Sequence, residues 1–530
     1  MAQAALLTAL VGGCVFAAAA QSTQAGGAAA GGGRILLVLP FDNRSGQPSL
    51  EWMREAAADL LSRRFASAGF APMSRVDRVY ALDHLGLPQG FHPSRASSLK
   101  LAQTLDADSI VVGSFLTDGS DLVVEARIVD VPQLRMSAAI TARGPLTKMV
   151  DVFDSLAWKL TRQLDPAFSV AEETFVAAGR DIRVDAYEQY IRGITEPDQA
   201  ERLRHLQQAV QLNPGFGSAW MALGREQYAS QQYEQAAAAF AKVGRNDPEA
   251  LEAGFYRGLS LLFFGSYKDA EQSFAGVARI LPLAEVVNNE GVAASRQGHD
   301  GTELFMQAAA ADPASADYHF NLAVSLKRHG QAQGALNELA QCLKLHPADS
   351  EAIALQSGWK TQTAAAGSPG AAPEPLERIV RTFDAVAFRQ AAQMMDQMDN
   401  ERMAALTPVE RARKLTAQAA GYLESGLLLE AERLYREAAV ADPNSAEAHL
   451  GLARVRLRTG DAEAARKEAR AALDLKPSAD AYVVLGLLDL SANWMDEANK
   501  NAAAALKADP SSAAAQDLLK QILARTGQRK

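Results

Sequence analysis

The apolar positions of this chain change their period once, and the change divides it. Ile35–Phe41, ILLVLPF, is a continuous apolar run, the pattern of a strand covered on both faces. Asp42–Pro48 carries Asn43, Ser45 and Gly46 and predicts a loop. Leu50–Ala66 has helical spacing, Phe70–Ser74 predicts a second strand, and Val76–Leu85 and Ser97–Leu105 predict helices. Ser109–Leu116 and Leu122–Val131 flank Asp118-Gly119 and predict a hairpin. Leu134–Ala142 is a third antiparallel candidate, and Leu146–Leu164 predicts a closing amphipathic helix. Together they predict a small α/β domain over 34–165, a mixed sheet with covering helices.

After a connector the helical period takes over. In Gly217–Pro248, Trp220, Leu223 and Gly224 mark one face of a first helix, and Ala236 and Phe240 mark the facing side of a second. Pro248 closes the unit, because it has no N–H and its ring clashes with a preceding turn. Closing prolines recur at Pro214, Pro248 and Pro282, 34 residues apart (248 − 214, 282 − 248), then at Pro313 and Pro347, and again at Pro443, Pro477 and Pro510. Repeat four is short, 31 residues (313 − 282), and loses about two residues after the turn between its helices. Small residues (Ala236, Ala270, Ala335, Ala431, Ala465) let paired helices approach, while Phe240, Phe274 and Phe305 fill the gaps between repeats. Gly265, Gly330, Gly426 and Gly460 suit left-handed helix ends.

This pattern resembles the tetratricopeptide repeat (TPR) family. The resemblance implies an all-α solenoid of helical hairpins in two blocks: 185–356, about five repeats, and 412–526, three repeats and a capping helix from Ser511. Between them lie a Gly/Pro/Ala linker, 357–375, expected to be exposed, and a helical connector, 376–411, in which Leu376–Thr407 reads as helix. Met394, Met395, Met398 and Met403 read as filler of the seam between blocks; an adaptable binding face is the alternative.

The same resemblance implies a groove lined by variable residues of each first helix. In block one these are Met221, Arg225, Tyr228, Phe255, Leu259, Leu262, Phe263, Phe320, Val324 and Lys327; in block two, Leu450, Arg454, Leu457 and Arg458. The implied partner is a protein or peptide, held as an amphipathic helix or an extended segment. The basic run Arg454, Arg456, Arg458 reads as a solvated face.

A second resemblance covers 34–165. VLPFDN at Val38–Asn43, ADLLSRRF at Ala58–Phe65, ADSIVVGSF at Ala107–Phe115 and LVVEARIVD at Leu122–Asp130 look like the amino-terminal domain of the TolB, CsgG and FlgO group. That group consists of bacterial envelope and secretion proteins, and the likeness implies an envelope location. Residues 4–20, apolar and ending in small residues, read as the core of a signal peptide over 1–20 with cleavage after Ala20, although no Lys or Arg precedes Arg34. Val11-Gly12-Gly13-Cys14 loosely matches a lipoprotein processing box, so a lipid anchor at Cys14 stays open beside cleavage. Residues 21–33 are a Gly/Ala linker, and no later segment is apolar enough to span a membrane.

Composition removes several function classes. A net charge of −9 argues against nucleic acid as a partner. Two cysteines, Cys14 and Cys342, provide no disulfide framework, and Cys342 reads as a buried thiol. The eight histidines are scattered, without a zinc-protease spacing, a phosphate loop or a nucleophile elbow. Asp42-Asn43 reads as a loop cap, and Asp118, Asp121 and Asp130 as turn charges. No catalytic residue, cofactor or metal is expected. The expected function is a non-catalytic interaction scaffold or adaptor of the bacterial cell envelope. Its rivals are a structural part of an envelope export or assembly complex, and an intracellular, cytoplasmic signalling adaptor if the start is not a signal.

Overall fold

The computed structural model describes residues 35–88, 95–179, 182–364 and 375–527. The signal segment, Cys14, the 21–33 linker and 365–374 lie outside the described residues. Two compact units emerge: one gathers 196–210 and 214–398, the other gathers the sheet domain up to Thr195 with the chain from Asp399 onward.

In the second unit, β1 (Ile35–Val38) lies parallel to β3 (Ala71–Pro72) on one side and to β4 (Ser109–Asp118) on the other. The short β2 (Asp42–Asn43) also runs parallel to β4. β4 and β5 (Asp121–Asp130) form the expected hairpin, in register from Ser109↔Asp130 to Asp118↔Asp121. β6 (Arg135–Met136) and β7 (Ile140–Pro145) then pair with β5. Leu122, Val124, Ala126 and Ile128 are buried along one side of β5, the period of two that a strand imposes.

Helices Met53–Ser67 and Met149–Leu164 pack together, and Phe153 meets Phe41 edge-on at 6.0 Å. Leu37, Ile110 and Val129 form a separate core with Ala81, Leu82, Leu101 and Ala102, from helices Arg75–His84 and Arg95–Thr104. The third strand differs from its expected form. Leu134 has φ +55°, and the Ile128 N–H goes to the Ser137 hydroxyl at 3.0 Å. The ladder therefore breaks between β6 and β7.

Charged and polar groups tie the helices of this unit together. Arg64 lies 3.2 Å from Asp154 and 4.0 Å from the Phe175 ring centroid. Burial pushes the Asp154 carboxyl up to about 7 against the pull of Arg64. Tyr187 donates to Asp59 at 2.6 Å, and Arg63 donates to the Tyr190 hydroxyl at 2.7 Å. The short helix Glu172–Ala177 meets the second block, where the fully buried Glu432 accepts from the Ala171 N–H (3.1 Å), Arg436 (2.7 Å) and Arg456 (2.6 Å).

Arg456 is thus inside, which corrects the solvated-face reading of the basic run. Alternate residues of a helix lie about 200° apart, so Arg454 and Arg458 share an exposed face that Arg456 leaves. Helices Pro408–Glu424 through Met495–Ala508 form three hairpins, and Ala513–Gly527 caps them. The cap buries Ala515, Leu518 and Ile522 and exposes Gln516, Lys520, Gln521 and Arg525.

The other unit stacks hairpins 217–240, 250–278, 284–311 and 316–345, followed by helix Ser350–Ala364. Repeat four keeps its second helix, Thr302–Ala311, despite the shortened turn. Gly265 ends its helix at φ +90°, as expected of a left-handed cap. Ser357–Ala364 is helical rather than linker, and Trp359 is buried there.

Residues 376–384 are extended, not helical; the next helix is Ala385–Ala404. Ile379, Val380 and Thr382 are β-branched, which favours extended backbone, and the surface they lie on fixes it. Met394, Met395 and Met398 are 65%, 54% and 39% exposed, so they do not fill a seam. They sit on a solvent face beside the exposed Asp399, Asn400 and Glu401. Met403 does pack, against the cluster containing Ala412 and Leu415.

The stack depends on close helix approach. A Cβ on Gly258 would lie 2.7 Å from the Phe274 ring. Overpacking of this kind costs about 1–3 kcal/mol, more than the roughly 1 kcal/mol that alanine gains over glycine in a helix interior. Gly258→Ala is therefore expected to lower stability by up to about 2 kcal/mol, read as an earlier urea midpoint. An unchanged or later midpoint would show that the ring has room to yield.

Candidate functional site

The first helices of repeats three to five, Ala250–Phe264, Ala284–Arg296 and Ala316–Arg328, build one face. The extended segment 376–384 lies on it and runs from repeat five toward repeat three. Helices spend their own backbone groups internally, so an extended chain laid on them needs side-chain partners. Asparagines supply these. Asn321 accepts from the Arg378 N–H (2.6 Å) and donates to the Arg378 carbonyl (2.8 Å). Asn289 treats Val380 the same way, at 3.0 and 2.7 Å. Asn288 adds a donor to the Arg378 carbonyl at 3.2 Å and itself accepts from Asn321 at 2.8 Å. At the far end Glu285 accepts from the Asp384 N–H at 2.9 Å, and Tyr256 is hydrogen-bonded to the Phe383 backbone. All three asparagines are fully buried.

Side chains add a second layer of contacts. The buried Glu377 carboxylate is held by Arg328, Ser295 and, at 3.6 Å, Arg296. Arg378 stacks 3.7 Å over the Phe320 ring centroid and reaches Asp317 (2.9 Å), Asp349 (2.7 Å) and Glu351 (3.2 Å). Burial opposes the charge of Arg378, but these three carboxylates outweigh it and hold its pKa above the ordinary value. In return the hydrogen bond from Arg378 holds the Asp349 carboxyl down at about 2. An open depression of about 500 Å³ adjoins this cluster, lined by Ser315, Asp317, His346, Asp349 and Arg378. Arg381 lies over Phe263 at 5.1 Å, and Phe383 meets Phe255 at 5.6 Å.

The structure divides the residues expected to line a groove. Phe255, Phe263 and Phe320 touch the extended segment. Tyr228 joins their aromatic cluster through Tyr256 and Phe263, and burial pushes its hydroxyl up to about 12. Leu259, Leu262 and Val324 are buried in the block's core. Met221 is buried with Ala236 and Phe240 of its own hairpin and Ala253 of the next. Arg225 is exposed and pairs with Glu252 at 2.7 Å. The Lys327 ammonium lies 5.7 Å over Trp359. In block two, Leu450 and Leu457 pack partly buried against Leu485 and its neighbours, Arg454 pairs with Asp480 at 2.6 Å, and Arg458 donates to the Leu423 carbonyl.

Asn288, Asn289, Asn321, Arg296 and Arg328 were not among the expected groove residues. A signal for two of them exists in the sequence: Asn289 and Asn321 each stand nine residues before a turn glycine, Gly298 and Gly330 (298 − 289, 330 − 321).

The other candidate positions are structural. Asn43 accepts from the Ser45 N–H at 3.0 Å as a loop cap. Asp118 and Asp121 pair with Arg143 at 2.9 and 2.8 Å, and Asp130 accepts from the Gln133 N–H at 2.8 Å. Cys342 is a buried free thiol, pushed up to about 11 by burial. Among the described residues no cluster of His, Cys, Asp or Glu is arranged to hold a metal ion, and no helix is long and apolar enough to cross a membrane.

With this geometry in view, comparison with family models matches residues 221–285 and 416–480 to the tetratricopeptide repeat. The helical region is a TPR array. Such repeats suggest a protein–protein interaction scaffold. Comparison with curated protein sequences gives no match. Among solved structures, MamA from Desulfovibrio magneticus RS-1 is 20% identical, covering 32% of this chain and 99% of its own, with a TM-score of 0.29. YrrB, described as a TPR protein with an unusual peptide-binding site, is 16% identical over 38% of this chain and 99% of its own, with a TM-score of 0.29. The LpoB C-terminal domain from Escherichia coli is 20% identical over 21% of this chain and 82% of its own, with a TM-score of 0.20.

One carboxylate of block one carries a pH dependence. Burial, and then the charge of Glu271, push the Glu290 carboxyl up to about 7. Its folded pKa lies above its unfolded one, so the folded state binds the extra proton and stability falls as pH rises from about 4.5 to 7. Glu290→Gln removes that penalty. The variant is expected to melt higher than the parent at pH 8 and close to it at pH 4.5; an equal difference at both pH values would assign the effect to packing instead.

Proposed function

We propose that this protein is a non-catalytic interaction scaffold of the bacterial cell envelope, whose first TPR block holds a partner protein through an extended peptide segment. One observation carries the binding mode: the first helices of repeats three to five already grip an extended backbone through Asn321 and Asn289. A surface that pairs with both the N–H and the C=O of alternate residues suits an extended chain and not a helix, whose backbone groups are satisfied internally. The envelope location rests on the apolar start over residues 4–20 and on the likeness of 34–165 to the TolB, CsgG and FlgO group.

A photoreactive phenylalanine analogue at position 263 tests the mode in cells. The expected result, in a chain whose own segment is released by Glu377→Ala/Arg378→Ala, is a crosslinked partner whose yield falls at least about tenfold when Asn289→Ala and Asn321→Ala are added, each backbone pair lost being worth about 1 kcal/mol or more. An undiminished crosslink in the folded variant lacking both asparagines would remove the groove from the function. Cell fractionation tests the location: processed protein outside the cytoplasm is expected, and full-length protein confined to the cytoplasm would refute it.

A further inference from the structure

The segment on the groove belongs to this chain, yet little in the grip is specific to being this chain. Arg378 and Val380 are held through backbone N–H and C=O groups, which almost every residue of any peptide presents. Specificity comes from two adjacent side chains of opposite charge. Glu377, 4% exposed, sits between Arg296 and Arg328. A ligand with no carboxylate there would leave two arginines facing each other without their partner, a strongly unfavourable arrangement. Arg378 fills a cup of three carboxylates over an aromatic ring, where a planar guanidinium fits and an ammonium does not replace it. Ile379 and Val380 are partly buried against the core, as is Phe383.

A chain that merely connects two helices has no need of paired asparagine rungs or of two opposed charge pockets. We propose that residues 375–384 are a tethered occupant that blocks the groove of the first block, and that the groove's ligand is a partner's extended segment bearing an acidic–basic pair, two aliphatic residues and, five residues after the basic one, an aromatic. The proposal rests on the scaffold reading and adds to it the ligand's chemistry and a built-in competitor. The tether joins the occupant to helix Ser350–Ala364 through ten residues, 365–374. Binding from within the chain is favoured at an effective concentration on the order of millimolar. A partner therefore meets an affinity reduced by the fraction of molecules in which the groove is open.

Fluorescence polarisation of a labelled peptide with the sequence of residues 375–384 tests this on the full chain. Against the parent protein weak binding is expected. Against the folded Glu377→Ala/Arg378→Ala variant, in which the internal occupant loses its charged anchors and the groove keeps all of its own residues, binding at least about tenfold tighter is expected. Adding Asn289→Ala and Asn321→Ala should abolish it. Hydrogen exchange on the unmodified parent gives a second reading that needs no variant to fold: the Arg378 and Val380 amides should be protected alone and lose protection at saturating peptide. No tighter binding by the variant, binding that survives loss of both asparagines, or protection that persists at saturation would each make the segment a permanent part of the fold. A partner crosslink from position 263 that does not depend on the asparagines would leave an interaction scaffold standing, with another binding mode, when this proposal falls.

Discussion

An extended backbone cannot lie on helices without a place for its N–H and C=O groups, and that constraint governs the first block. Leaving such groups buried and unpaired costs about 1–3 kcal/mol each. Asn321 and Asn289 meet it two residues apart along the segment, at Arg378 and Val380, because neighbouring repeats bring equivalent first-helix positions to a spacing that alternate extended residues can match. The asparagines are themselves placed by the stack. Each stands on a helix whose other side is fixed by the hairpin it belongs to, and the stack holds those helices close through contacts such as Gly258 on Phe274. The chemistry of the groove is thus an outcome of helix spacing, and helix spacing is an outcome of small residues at fixed positions.

The sheet domain and the solenoid were legible in the sequence because each advertises a short-range period. The β4–β5 hairpin could be placed from Asp118-Gly119 and the apolar runs on either side, and the hairpins from prolines and small residues. What escaped was set by residues far apart in the chain. The backbone of Arg378 is bonded to a side chain 57 residues away and that of Val380 to one 91 residues away. Within 376–384 itself, the mixture of charged and β-branched residues has no period that distinguishes a strap from a helix start. Arg456 escaped for a different reason: three arginines at alternate positions look like one basic patch on paper, but a helix sends the middle one to the opposite side, where Glu432 receives it.

The expected groove residues show the limit of reading a repeat by position alone. A first helix presents one side to its own partner helix, another to the next repeat and a third to the groove. Met221 and Leu259 proved to belong to the packed sides, whereas Phe263 and Phe320 belong to the third. The asparagines were visible as a recurrence, nine residues before Gly298 and Gly330, but a buried asparagine has a bland reading as a satisfied core polar group. Only the extended segment shows that its partner is a backbone.

The same count distinguishes the two blocks. Nine residues before Gly460 stands Gly451 (460 − 451), which has no side chain to offer a backbone. Its site is filled from the neighbouring helix, since a Cβ there would lie 2.1 Å from the Tyr435 ring. Block two also commits its central charges inward: Glu432 is consumed by Arg436, Arg456 and the Ala171 N–H. A buried carboxylate with that many donors is costly to uncover, because removing any partner leaves charge behind. Glu432 thus ties block two to the segment before helix Glu172–Ala177. The repeats of block one turn their polar groups to the groove face, where they hold Glu377, Arg378 and Val380.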